Sequence, residues 1–118
     1  TVGTFTPELI MKAIENVVTC PQPEDGARHL GIHVEGPYLN VEHRGAQQKD
    51  LIRKPDAVEF QKWLDTGVVK LITIAPEIEK ALEFIDLGSG GLSLSSLPQC
   101  SHSLCFFRGP LLYPPLSF

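Results

Sequence analysis

Residues 29–37 read His29-Leu30-Gly31-Ile32-His33-Val34-Glu35-Gly36-Pro37. Leu30, Ile32 and Val34 alternate with His29, Gly31, His33 and Glu35, the period-two pattern of a strand with one apolar face. Gly36-Pro37 ends the strand at once. A strand interior has no use for Glu35, whereas a site at the strand's end does. Further on, Val68-Val69-Lys70-Leu71-Ile72-Thr73-Ile74-Ala75 is a β-branched run, long enough for a strand buried on both faces, and Pro76-Glu77 ends it.

Helical signals flank both strands. Thr6-Pro7-Glu8 is a helix start: Thr6 can cap, Pro7 suits the first turn, and Glu8 favours the positive end. Leu9/Ile10, Ala13/Ile14 and Val17/Val18 then recur every four residues, which predicts a helix from about Pro7 to Val18. Asp56 and Glu59 have capping-box spacing before Ala57, Phe60 and Leu64, with Gly67 as a natural stop. Ile78, Ala81, Leu82 and Ile85 predict a third helix. Between the first strand and the second helix, residues 36–55 form a long polar loop punctuated by Gly and Pro, of a length that is often functional. The order is helix, strand, long loop, helix, strand, helix. Such alternation implies βαβ units and a parallel sheet, an α/β fold.

The composition changes at Leu87. Residues 87–118 hold one formal charge, Arg108, and are rich in Ser, Leu, Gly and Pro, with neither helical nor strand periodicity. Disordered tails are normally charged and poor in bulky apolar residues. Apolar and almost uncharged, this stretch fits neither a folded continuation nor a solvating tail, so the division is residues 1–86 as a βα segment and residues 87–118 as a non-homologous extension without regular structure, of the kind a shifted reading frame produces. The chain does not begin with Met and opens within a few residues of a helix start, which reads as the interior of a longer protein.

With 118 residues, a net charge of -4 and 42% hydrophobic residues, the chain has ordinary globular composition. No basic patch marks a nucleic-acid partner, and no apolar run is long enough for a membrane span. Cys20, Cys100 and Cys105 are odd in number and unevenly spaced, which points to a reducing compartment rather than a disulfide framework.

In parallel α/β architectures the carboxyl ends of strands hold the chemistry. With Leu30, Ile32 and Val34 toward the helices, Gly31, His33 and Glu35 face the other way, Glu35 at the rim. A carboxylate there can bind a metal, act as acid or base, or accept a hydrogen bond from a sugar hydroxyl. The plainer reading is a solvated strand-end carboxylate and a satisfied histidine. One H-x-E is no zinc site, which takes three protein ligands and an open position.

Three linked stretches carry a resemblance: "LGIHVEGPYLN", then "HRGAQ", then "LITIAPE". In this order the chain, over roughly residues 1–86, resembles the N-acetylglucosamine-6-phosphate deacetylase family of the amidohydrolase superfamily. The resemblance implies an incomplete segment of a TIM-like (β/α)8 barrel. It also implies removal of acetate from N-acetylglucosamine 6-phosphate by a divalent metal (Zn, or Fe, Mn or Co), in a cytoplasmic enzyme that is a homodimer at full length. On the family's pattern Glu35 is a metal ligand, His33 supports it, and Ala46 and Gln47 lie at the substrate. Gln47 stands where the family has His, and glutamine cannot take a proton near neutral pH. The family's metal-binding histidines and its general-base aspartate come from later strands, beyond the matching region. No catalytic residue is therefore carried over, and the chain alone is expected to be inactive. Another amidohydrolase-superfamily barrel, or an inactive truncated product serving as an interaction module, are the alternatives.

Other groupings are weaker. Cys100, His102 and Cys105 form C-x-H-x-x-C without an evident fourth ligand. Cys20 reads as a loop cysteine, His43 as a solvated loop histidine and Trp63 as packing. Arg44, Lys49, Arg53 and Lys54 could attract a phosphosugar, or simply be solvated. Gly88-Ser89-Gly90-Gly91 lacks the P-loop frame.

Overall fold

The computed structural model describes residues 1–89, 92–96 and 104–108, with side chains over residues 1–85. Helix α1 runs from Pro7 to Thr19, and the Thr6 hydroxyl accepts from the Leu9 N–H at 3.4 Å, capping it as the sequence predicts. Its buried stripe is narrower than the paired apolar residues suggest. Ile10 and Ile14 are fully buried, Met11, Ala13 and Val17 pack partly, and Leu9 and Val18 are exposed.

Strand β1 is Ile32–Glu35. It starts later than its alternation suggests, and Leu30 is 77% exposed rather than in the core. The reason lies at Gly31, whose φ of 132° breaks the extended run. A Cβ on Gly31 would stand 2.3 Å from Lys70 Cγ and 2.5 Å from the Val68 carbonyl oxygen, so no larger residue fits.

Strand β2, Val69–Ile74, runs parallel to β1, and helix α2, Ala57–Asp65, lies between them in sequence. This is the predicted βαβ unit. The register carries one irregularity: Ile32 pairs with Val69, but His33 pairs with Leu71, leaving Lys70 as an extra residue in β2. Val69, Ile72 and Ile74 are consequently all buried, while Lys70, Leu71 and Thr73 are half-buried. Strict alternation would have placed Val69 and Ile72 on opposite faces.

Asp56 caps α2, accepting from the Glu59 N–H at 2.8 Å. Within α2, Phe60, Trp63 and Leu64 are buried, but Ala57 is exposed. After the turn at Gly67 and strand β2 comes helix α3, Ala81–Ser89, whose core residues are Ala81, Phe84 and Ile85. Leu82 is 65% exposed, because helical spacing from Ala81 and Ile85 selects Phe84 instead.

Two further strands, β3 (Leu92–Ser96) and β4 (Leu104–Arg108), pair antiparallel with each other, and β4 pairs antiparallel with β2. The sheet order is β1-β2-β4-β3. The all-parallel expectation thus holds for β1 and β2 only, and the expected lack of regular structure after Leu87 does not hold for these strands. On the other side of β1, Val2 forms a parallel bridge to Val34. The Val2 N–H donates to the His33 carbonyl and the Glu35 N–H to the Val2 carbonyl, both at 2.8 Å.

One core joins the three helices to one face of the sheet, through Val2, Ile32, Val34, Val69, Ile72 and Ile74. His33 and Glu35 alternate onto the opposite face. Among the described residues no helix is long and apolar enough to cross a membrane.

Candidate functional site

Glu35 is the last residue of β1 and pairs with Thr73 near the end of β2. The three stretches singled out in the sequence meet here. The Ala75 N–H donates to the Tyr38 carbonyl at 2.9 Å, joining the A-P-E stretch to the loop after Glu35. Asn40 Nδ2 donates to Glu77 Oε1 at 2.9 Å. Gln47 reaches back to the amino-terminal segment beside β1: its Oε1 accepts from the Thr4 N–H at 2.8 Å. Ala46 is exposed on the loop.

His33 lies half-buried on the same face as Glu35. Its Nε2 is 2.8 Å from Thr73 Oγ1, across the strand pair, and its Nδ1 is 3.5 Å from Thr1 Oγ1. Burial holds its imidazole below the ordinary histidine value, while the Glu35 carboxylate pulls the other way. A neutral imidazole hydrogen-bonded across two strands is what a satisfied, register-fixing histidine looks like, and it leaves Glu35 as the acidic group at the rim.

Among the described residues no three His, Cys, Asp or Glu side chains gather where they could hold a metal ion. A hydrolytic zinc site needs three protein ligands. The described residues alone therefore do not fit a metal; Glu35 offers one carboxylate and no more. The C-x-H-x-x-C stretch has Cys100 and His102 outside the described residues.

Three of the four loop cations, Arg44, Arg53 and Lys54, already have protein partners. Arg53 donates through Nε and Nη2 to the Glu59 carboxylate and through Nη1 to the carbonyls of Phe5, at 2.8 Å, and Leu51, at 3.2 Å. Lys54 pairs with Glu79, and Arg44 donates to the Val41 carbonyl at 2.9 Å. A groove of about 400 Å³ opens between residues 39–41 and 77–79, with Arg53 and Lys54 on its wall. Both of those cations already face carboxylates, so the groove has no cation left over for an anion.

Trp63 is core, 1% exposed, and stacks on Tyr38 with ring centroids 5.5 Å apart. Cys20 is an exposed free thiol. Sequence reasoning missed two features. Thr4, buried against Gly36 and Gln47, carried no motif. Tyr38, within the stretch after Glu35, is fully buried and donates to Glu59 Oε2 at 2.8 Å. The capping-box reading of Glu59 had assigned its carboxylate to the helix end, whereas the carboxylate serves Tyr38 and Arg53.

No protein-family model matches the chain, and no solved structure matches it. Curated relatives do. An N-acetylglucosamine-6-phosphate deacetylase from Bacillus subtilis is 44% identical over 62 residues, covering 51% of this chain and 16% of the relative. The human enzyme of the same name is 34% identical over 89 residues, 72% of this chain and 22% of its own. The mouse enzyme is 32% identical over 100 residues, 80% of this chain and 24% of its own. The chain thus spans 16% to 24% of the length of these relatives, and it resembles N-acetylglucosamine-6-phosphate deacetylase as a partial chain.

Proposed function

We propose that this chain is one segment of a TIM-like barrel enzyme that removes acetate from N-acetylglucosamine 6-phosphate, and that Glu35 is the single metal ligand the segment contributes. The observation that carries this reading is convergence. Stretches far apart in sequence, around Glu35, Gln47 and Ala75, come together at the carboxyl end of β1 and β2, where barrel enzymes keep their chemistry. The curated relatives that this chain resembles are named for that reaction. In the complete enzyme a divalent metal would polarise the amide carbonyl. Its remaining ligands and the general base would come from residues outside this segment. The implied partners are a phosphorylated amino sugar and, at full length, a second copy in a cytoplasmic homodimer. Ala46 and Gln47 are the loop positions the resemblance assigns to the sugar, and with Oε1 of Gln47 taken by the Thr4 N–H, its amide nitrogen is the group left to offer.

A chimera tests this. Residues 1–86 replace the corresponding segment of the Bacillus subtilis relative, and acetate release from N-acetylglucosamine 6-phosphate is measured. Activity that disappears with Glu35→Gln is expected. A folded chimera that is inactive, or one indifferent to Glu35→Gln, overturns the assignment.

A second reading is favoured by the lone carboxylate: this 118-residue chain is itself inactive and at most an interaction module. Purified chain should then release no acetate and retain no zinc through gel filtration. Substrate-dependent acetate release lost on Glu35→Gln would refute that. Reading the coding DNA downstream of Asp86 in all three frames separates a shifted frame from a natural extension.

A further inference from the structure

We propose that Gln47 is a positioning residue: acting through Thr4, it fixes the backbone at Glu35 and Gly36. The loop of residues 36–55 and the carboxylate at the end of β1 then hold one geometry. Thr4 is polar yet only 3% exposed. Its N–H donates to Gln47 Oε1 at 2.8 Å, across 43 residues of sequence. Its hydroxyl donates to the Glu35 carbonyl at 3.4 Å. Gly36 lets the two segments close: a Cβ there would stand 2.2 Å from Thr4 Oγ1. Thr4 therefore joins the middle of the long loop to the last residue of β1 by hydrogen bonds on both sides. A buried N–H without a partner is costly. Position 47 must thus present an acceptor to Thr4, a demand separate from any contact with substrate. Only the job of Glu35 rests on the deacetylase reading; the coupling is read from the hydrogen bonds.

Amide hydrogen exchange by NMR on the 118-residue chain tests this, with Gln47→Ala and Gln47→Glu beside the wild type. The Thr4 amide is expected to be protected in the wild type. Gln47→Ala should speed its exchange by about tenfold and speed the Glu35 amide as well, leaving the Phe60 amide of α2 unchanged. Gln47→Glu, which keeps an acceptor oxygen, should retain the protection. Three results overturn the proposal: an unprotected Thr4 amide in the wild type, a Glu35 amide unmoved by Gln47→Ala, or equal acceleration of all three amides. Should Gln47→Ala fail to fold, the wild-type Thr4 amide and Gln47→Glu decide, and loss of Thr4 protection in Gln47→Glu sinks it. Acetate plays no part in this readout, so it fails or stands apart from the enzymatic assignment.

Discussion

Tyr38→Phe isolates one buried hydroxyl. The ring keeps its stack on Trp63 and its edge contact with Phe84, centroids 6.0 Å apart. What disappears is the bond to Glu59 Oε2 at 2.8 Å and a long one to the Asp56 carbonyl at 3.4 Å. Glu59 retains Arg53, so no carboxylate is orphaned. The expected loss near neutral pH is at the low end for a bond to a charged group, about 1.5 kcal/mol. The loss should also depend on pH. Burial, then the bond to Glu59 and its charge, push the Tyr38 hydroxyl's pKa up in the folded state. A raised folded value means the contribution is complete below the unfolded tyrosine's value, about 10, and is lost as pH rises beyond it. The wild type should therefore lose about 1.4 kcal/mol per pH unit from this group above pH ~10, and the variant should not. The two stability curves should differ by about 1.5 kcal/mol at neutral pH and nearly meet by pH ~11. Denaturant unfolding followed by far-ultraviolet circular dichroism, from about pH 7 to about pH 11, reads this without interference from ring ionisation. A gap that stays constant across that range, or no gap at neutral pH, refutes the reasoning.

Two other substitutions address the frame around the site. Gly31→Ala drives a Cβ into Lys70 and the Val68 carbonyl at a φ of 132°; thermal unfolding should show a loss of about 3 kcal/mol and weakened protection of the Ile32 amide, which donates to Val68. Asp56→Ala removes the acceptor for the Glu59 N–H, and denaturant titration should register about 1 kcal/mol.

The parts legible in the sequence are those governed by local rules. Thr6 and Asp56 cap the helices they were expected to cap, and Ile32 and Val34 turn inward as period two requires. What escaped depends on partners distant in the chain. Leu30 belongs to an apolar alternation, but the approach of Lys70 to Gly31 ends the strand before reaching it. Arg53 looks like one of several loop cations, and only the fold brings it to Glu59 and the Phe5 carbonyl. The strands at residues 92–96 and 104–108 were hidden by the Ser-, Gly- and Pro-rich composition around them, although Leu92-Ser93-Leu94-Ser95 alternates at period two, and they pair β4 on β2 and β3 on β4. In the candidate site, Glu35 was visible because a carboxylate before Gly-Pro is odd in any strand. Thr4 was invisible because a threonine near a helix start is ordinary; its burial comes from Gly36 and Gln47, more than thirty residues away.

The extra residue at Lys70 makes β2 a strand of two parities. Its first residue counts inward on odd numbers, and its last residues count inward on even ones. Deleting Lys70 would restore a single count and would keep Val69, Ile72 and Ile74 together on the helix side. The end that carries Thr73 beside His33 and Glu35 is thus set independently of the end that starts the strand. Changes at the entry of β2 can be absorbed at Lys70 before they reach the rim.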